Sequence, residues 1–295
     1  MKIVPPTSLD ASGLLSLKGG RSISVCLPAR NEEATVGPIV EAIVANLMAP
    51  AGPALVDELI VLNDGSSDAT ALIATEAGAK VIEVIDVLPS EPPGSGKGNV
   101  LWRSVAASSG DIIVWCDTDL TSFTPQYVTR LVQPLLDDAA LALVKGYYMR
   151  PVDEIGQGGG RTTELVARPL LSMFFPPLAT ILQPLGGECA ATRGLLEQLP
   201  FVESYGVESA LLIDTMGFVG IEAMAQVDLG VRQHRHRDLL SLSEQASEIL
   251  AVVLGRAGLE LPDPMPPLIN HAGIERPVFV AERSPMIEVA AYTSG

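Results

Sequence analysis

Four short β-rich runs, each followed by a stretch of helical spacing, constrain this chain most. They are SISVCLP (22–28), DELIVLND (57–64), AKVIEVI (79–85) and DIIVWCDTDL (111–120). The last is a nearly continuous apolar run, as expected of a strand buried on both faces. Between them, NEEATVGPIVEAIVANL reads as a helix capped by Asn31, with Val36, Ile39, Val40 and Ile43 at helical spacing. ATALIATEAG closes on Gly78, and KGNVLWRSVAASSG runs to Gly110. Repeated strand–helix units of this length predict an α/β fold with a mostly parallel, doubly wound sheet.

The second half is less regular. PQYVTRLVQPLLDD, YGVESALLIDTMGFVG and SLSEQASEILAVVLGRAG read as helices, LALVKGYYMRP as a strand and IEAMAQVDLGVRQHRHR as a strand pair. GQGGGRTTELVARPLLSMF is a glycine loop leading into a helix, and PLGGECAATRGLLEQLP a loop, a short strand and a helix. Pro262, Pro264, Pro266, Pro267 and Pro277 predict an extended tail. One domain is expected, with an arm over 1–20, halves spanning 21–150 and 151–261, and a tail over 262–295.

With 19 Lys plus Arg against 35 Asp plus Glu, the formal charge is −16. That balance argues against a nucleic-acid binder or a protein held on anionic lipid. Any bound phosphate must then be held by a local basic site. No apolar span of about 20 residues occurs to cross a membrane, and the N-terminus does not read as a secretory signal. Cys26, Cys116 and Cys189 lie far apart without a CxxC pair, which favours a reducing cytoplasm. Cys26 and Cys116 sit in apolar runs, as small buried thiols do.

In doubly wound sheets the ligand sits beyond the carboxyl ends of the strands. The unusual polar residues fall there: Pro28 to Glu32, Asn63 to Ser66, and Asp117-Thr118-Asp119. Two carboxylates two apart share a face if the strand continues. They repel unless a cation or ribose hydroxyls intervene, and Mg²⁺ and Mn²⁺ favour such oxygens together with phosphates. A solvated turn is the competing reading. In Gly94-Ser95-Gly96-Lys97-Gly98 the glycines let the backbone approach an anion and Lys97 supplies charge. The spacing is not that of a P-loop, and alone the segment reads as a linker.

Two of the three histidines fall in Arg232 to Arg237. On a strand, Arg232, His234 and His236 share one face, as a metal ligand flanked by anion-binding groups would. A charged edge strand fits the spacing equally well. Gly158 to Thr163 opens a helix, where free N–H groups beside Arg161 form an anion site. Glu208 alone reads as a surface acid.

Together these segments resemble nucleotide-sugar glycosyltransferases of the GT-A type, most closely the glucosyl-3-phosphoglycerate synthases of actinobacteria. The resemblance is carried by LPARNEEATV, DELIVLNDGSSDAT, GKGNVLWRS, DTDL, GGGRTTELVARPLL, LQPLGGECAATR, YGVE and LGVRQHRHR. It implies a GT-A sheet whose first half binds the nucleotide sugar and whose second half binds the acceptor. It implies retaining transfer of glucose from UDP-glucose to 3-phosphoglycerate with Mg²⁺ or Mn²⁺, in a cytoplasmic homodimer with no nucleic-acid or membrane partner.

By the same resemblance, Pro28, Ala29, Arg30, Glu32 and Asp64 would line the nucleoside pocket. Lys97 would bind the nucleotide, Asp117 would face the ribose, and Thr118 would stand with the donor-binding residues. Asp119 and His234 would hold the metal. Leu185, Tyr205 and Glu208 would surround the sugar, with Asp119, Glu208 and Leu185 at the reacting centre. Arg232 would hold phosphate, and Gly160, Arg161, Thr163 and His236 the acceptor. The family usually has Leu at the position of Arg30 and Asn at that of His236, so the base and the acceptor are where this chain departs from the pattern. A GDP-sugar donor, another phosphorylated acceptor and a non-enzymatic sugar-nucleotide-binding regulator are the competing readings.

Overall fold

The computed structural model of the chain describes residues 1–5, 11–48, 54–149, 160–232, 239–270, 272–278 and 280–294. An eight-stranded sheet forms its centre. In chain order its strands are β1 (Lys2–Val4), β2 (Ile23–Ala29), β3 (Glu58–Asn63), β4 (Lys80–Glu83), β5 (Ile112–Trp115), β6 (Leu143–Met149), β7 (Cys189–Thr192) and, after a short β8 (Phe201–Val202) outside the sheet, β9 (Met224–Val231). Across the sheet the order is β1-β9-β6-β7-β5-β2-β3-β4. Only β7 runs antiparallel to its neighbours, pairing Trp115 with Cys189 on one side and Lys145 with Cys189 on the other. The start of β7 therefore lies beside the end of β5.

Helices cover both faces, which is why the central strands read as continuous apolar runs. On one face α1 (Ala11–Lys18), α2 (Val36–Leu47), α3 (Thr70–Glu76) and α5 (Gln126–Asp137) pack on Val25, Leu27, Ile112 and Val114. On the other, α4 (Gly96–Ala107), α6 (Arg168–Phe174), α7 (Arg193–Leu196), α8 (Val207–Val219) and α9 (Leu239–Arg256) pack on Cys26, Ile113 and Trp115. Alternate residues of one strand thus feed two separate cores, as the pleat requires. The expected α/β sheet is the one observed.

Several local expectations change. The helix after β2 begins at Val36, and Asn31 is not its cap. Asn31 instead adopts φ 58°, a left-handed conformation that asparagine tolerates. Its side chain accepts the Ser67 N–H at 2.8 Å. β5 stops at Trp115, so Asp117 and Asp119 do not ride on a strand. The expected strand pair near residue 221 is the single strand β9, and the histidine-rich stretch after Arg232 lies outside the described residues.

The chain ends are not loose. In the arm, β1 adds a parallel edge strand beside β9, and Leu14 of α1 is buried. The final segment forms a small hairpin from β10 (Leu268–Ile269) and β11 (Glu275–Arg276). It then returns to the body through β12 (Glu282–Arg283), which pairs with β8, and ends in α10 (Ala290–Thr293). The extended tail is thereby corrected: Met286 and Val289 are buried in the second core, each stabilising the docking by roughly 1.5–3 kcal/mol. Among the described residues no helix is long and apolar enough to cross a membrane.

Candidate active site

The loops leaving β2, β3 and β5 converge at one edge of the sheet. Thr118 Oγ donates to the Pro28 carbonyl at 2.7 Å, tying the segment after β5 to the end of β2. The Asp64 N–H donates to the Ala29 carbonyl at 2.9 Å, which adds the end of β3. Arg30 stands 3.4 Å from Asp64, with two-thirds of its side chain exposed. Glu32 turns toward the start of α2, where its carboxylate accepts Thr35 Oγ at 3.2 Å and its N–H meets Thr70 Oγ at 2.8 Å.

Next to this edge lies a buried network of charge. Lys97, in the first turn of α4, meets Asp117 at 2.6 Å and Glu208 at 2.8 Å. Arg232, just after β9, shares one guanidinium nitrogen between Asp117 and Asp119, each at 3.1 Å. Its other terminal nitrogen donates to both oxygens of Glu188, at 2.9 and 3.1 Å, and to the Tyr148 hydroxyl at 2.8 Å. Asp117 and Asp119 are therefore brought together by one arginine rather than by strand geometry. Glu208 is buried, which corrects its reading as a surface acid: it opens α8 pointing at Lys97.

Burial works against the charges of Lys97, Asp117 and Glu188, and the partners decide the outcome at the first two. Burial alone would lower the Lys97 ammonium, but Asp117 and Glu208 hold its pKa well above the usual lysine value. Burial would raise Asp117, yet Lys97 and Arg232 hold its carboxyl well below the usual range. Glu188 is fully buried, and there desolvation prevails over Arg232 and raises its pKa.

Glycine is required where these charges meet. A Cβ at Gly187 would lie 2.0 Å from Asp117 Oδ1 and 2.4 Å from Lys97 Nζ. The Gly94–Gly98 run is also closely packed. A Cβ at Gly98 would lie 1.8 Å from the Val202 carbonyl, and one at Gly94 would lie 2.1 Å from Arg283. These glycines let α4 start against β8 and the C-terminal segment, and Lys97 supplies the charge.

Other expected residues stand apart from the network in what they touch. Leu185 is half-buried against the second core. Tyr205 is partly exposed, its N–H on Glu248 at 3.1 Å. The Gly160 carbonyl accepts the Glu164 N–H at 3.0 Å, Arg161 is exposed, and Thr163 is buried at the start of a π-helical turn, Thr163–Ala167. His234 and His236 lie outside the described residues, as do Gly158 and Gly159. Sequence reasoning missed Glu188, Tyr148 and Gly187. The one signal for Glu188 was a lone acid at the head of the apolar run CAAT.

Among the described residues no three His, Cys, Asp or Glu side chains cluster as ligands for a metal ion. The donor chemistry still fits one. Two cations hold four carboxylates in the ion-pair network, Lys97 and Arg232 against Asp117, Asp119, Glu188 and Glu208, so its formal charge is 2 − 4 = −2. Asp119 is the carboxylate of these with a third of its side chain exposed. A hard divalent cation taking one such oxygen, with the rest from phosphate, suits that arrangement.

A doubly wound sheet whose strand ends carry this network is the frame of a GT-A glycosyltransferase. Residues 24–178 match glycosyl transferase family 2, and the chain belongs to that family as a hexosyltransferase. It is 50% identical over 256 residues to the glucosyl-3-phosphoglycerate synthase of Mycolicibacterium smegmatis, covering 85% of this chain and 83% of that one. It is 47% identical over 240 residues to that of Petrotoga mobilis, covering 79% and 73%. The crystal structure of glucosyl-3-phosphoglycerate synthase from Mycobacterium tuberculosis with Mn²⁺, UDP-glucose and phosphoglyceric acid matches at a TM-score of 0.87, with 45% identity and 95% of each chain covered.

Proposed function

We propose that this chain transfers glucose from UDP-glucose to 3-phosphoglycerate with retention of configuration. The observation that carries this reading is the Lys97–Asp117–Arg232–Asp119 network at the end of β5. It places two cations against two acids where a doubly wound sheet binds its ligand. Pro28, Ala29, Arg30, Glu32 and Asp64 surround the nucleoside, Asp117 faces its ribose, and Thr118 stands with the donor-binding residues. Lys97 and Arg232 hold the diphosphate as charge develops on it. Leu185, Tyr205 and Glu208 enclose the sugar. Gly160, Arg161, Thr163 and His236 receive the acceptor, whose phosphate needs basic groups in a chain of net charge −16. Asp119 and His234 would hold Mg²⁺ or Mn²⁺, which would supply further positive charge beside the leaving group.

Retention through a covalent intermediate needs a free carboxylate at the sugar C1. Glu208 is committed to Lys97 at 2.8 Å, which supports front-face attack instead. In that step the C1–diphosphate bond breaks on the face where the acceptor hydroxyl forms its bond to C1. The acceptor proton passes to the departing diphosphate oxygen. The expected products are UDP and an α-glucoside, read by chromatography and by the anomeric proton coupling. Chelation by EDTA abolishes transfer and Mn²⁺ restores it. A β-linked product, or a sugar trapped on Glu208, overturns the front-face step. Faster turnover of GDP-glucose than of UDP-glucose overturns the donor assignment.

The enzyme acts as a cytoplasmic homodimer, and mass measurement in solution checks the oligomer. A Gly187→Ala variant is expected to lose about 1–3 kcal/mol of stability by overpacking. It loses more than tenfold in kcat/KM, because the new methyl separates Lys97 from Asp117. Steady-state kinetics and chemical denaturation of that variant measure both effects.

A further inference from the structure

Lys97 depends on a helix start that does not hold itself. Ser95, at the cap of α4, makes no side-chain capping bond, and the first N–H groups of a helix need outside partners. The Ser95 N–H donates instead to Glu203 Oε2 at 3.0 Å. The other oxygen of Glu203 forms an ion pair with Arg283 Nε at 2.7 Å. Arg283 also donates to the Pro92 carbonyl at 2.8 Å, and its guanidinium lies 5.1 Å from the centre of the Trp102 ring. Trp102 belongs to α4, and its indole N–H donates to the Ser284 carbonyl at 2.9 Å. The Glu203 N–H donates to the Ala281 carbonyl at 2.8 Å. The C-terminal segment thus grips α4 at its cap, through Glu203, and nearly two turns further on, through Trp102.

Both charged side chains are nearly buried, 9% exposed for Arg283 and 12% for Glu203. An ion pair kept out of water persists only with close contact and further hydrogen bonds; the two side chains meet at 2.7 Å, and Ser95 and the Pro92 carbonyl supply hydrogen bonds to them. Glu208 opens α8 five residues after Glu203, so the same grip sets the spacing between Lys97 and Glu208. The glycines at 94, 96 and 98 remove any side chain that could lock this turn from within. Its position is set by what packs on it.

We propose that Arg283 and Glu203 are positioning residues for the reaction, a clamp by which the C-terminal segment aims Lys97 into the donor site. The proposal rests on the donor-site reading above. Neither residue touches substrate; each acts through the start of α4.

The test is calorimetric titration of UDP-glucose in Mn²⁺ with the full-length wild type, Arg283→Gln, Lys97→Met and the double variant. Arg283→Gln is expected to weaken UDP-glucose binding about tenfold, since small misplacements cost that much or more. KM for 3-phosphoglycerate should stay within about twofold, and Arg283→Lys should recover part of the loss. A clamp acting through Lys97 requires the double variant to bind no more weakly than Lys97→Met alone. Losses that multiply, or a folded Arg283→Gln protein with wild-type affinity, overturn the clamp. If Arg283→Gln does not fold, Glu203→Gln removes the ion pair with less disturbance. Weaker donor binding by that variant, again absent in the Lys97→Met background, supports the clamp, and unchanged binding overturns it. A wild-type protein without affinity for UDP-glucose would overturn the donor-site reading and the clamp with it.

Discussion

Lys97→Met is expected to lower kcat/KM for UDP-glucose by roughly 100- to 1000-fold, through weaker donor binding as well as a lower kcat. The ammonium sits 2.6 Å from Asp117 and 2.8 Å from Glu208. Methionine fills the same volume but leaves Glu208 without its cation and Asp117 with Arg232 alone. The site loses a positive group beside the leaving diphosphate. Removing one group of that kind costs about 3–4 kcal/mol of transition-state stabilisation. Lys97→Arg is not a rescue, because a planar guanidinium does not fit a pocket that excludes even a Cβ at Gly187. Steady-state rates at varied UDP-glucose measure the effect. A Lys97→Met enzyme within tenfold of the wild type would place the donor elsewhere.

Glu188→Ala is expected to act first on stability. Arg232 is 5% exposed and Glu188 fully buried, and the pair closes through two contacts at 2.9 and 3.1 Å. Alanine takes away the buried carboxylate of one guanidinium nitrogen, leaving it the Tyr148 hydroxyl alone, at a cost of about 3–5 kcal/mol. It also frees Arg232 to swing from Asp117 and Asp119, so the surviving folded enzyme turns over slowly. Glu188→Gln keeps the shape and one acceptor and costs less, about 1–3 kcal/mol. Guanidinium denaturation of the three proteins gives the order. Equal stability of Glu188→Ala and wild type contradicts this account of the network.

The first half of the fold was legible because strands buried on both faces write themselves as apolar runs. The site was legible only as far as strand ends mark it. Asp117 and Asp119 were found by position, but their alignment was misread, since β5 stops at Trp115 and Arg232 does the joining. That link spans more than a hundred residues and leaves no local pattern. Glu188 had none either: its partner follows a distant strand, β9, and a lone acid before CAAT has no periodicity to betray burial. Glu208 looked exposed because a helix start commonly carries acids. The glycines at the start of α4 were noticed for close approach, but their protein neighbours were not foreseen. They face Val202 and Arg283, which only the docking of the C-terminal segment brings near.

The reversed direction of β7 gives the edge that carries the charge network two kinds of border. Parallel strands offer only their exits to that rim, whereas β7 offers its entrance, and Gly186, Gly187 and Glu188 arrive there from the opposite sense. Lengthening or shortening the stretch between α6 and β7 therefore reshapes the wall on that side while the exits of β2 and β3 keep their spacing.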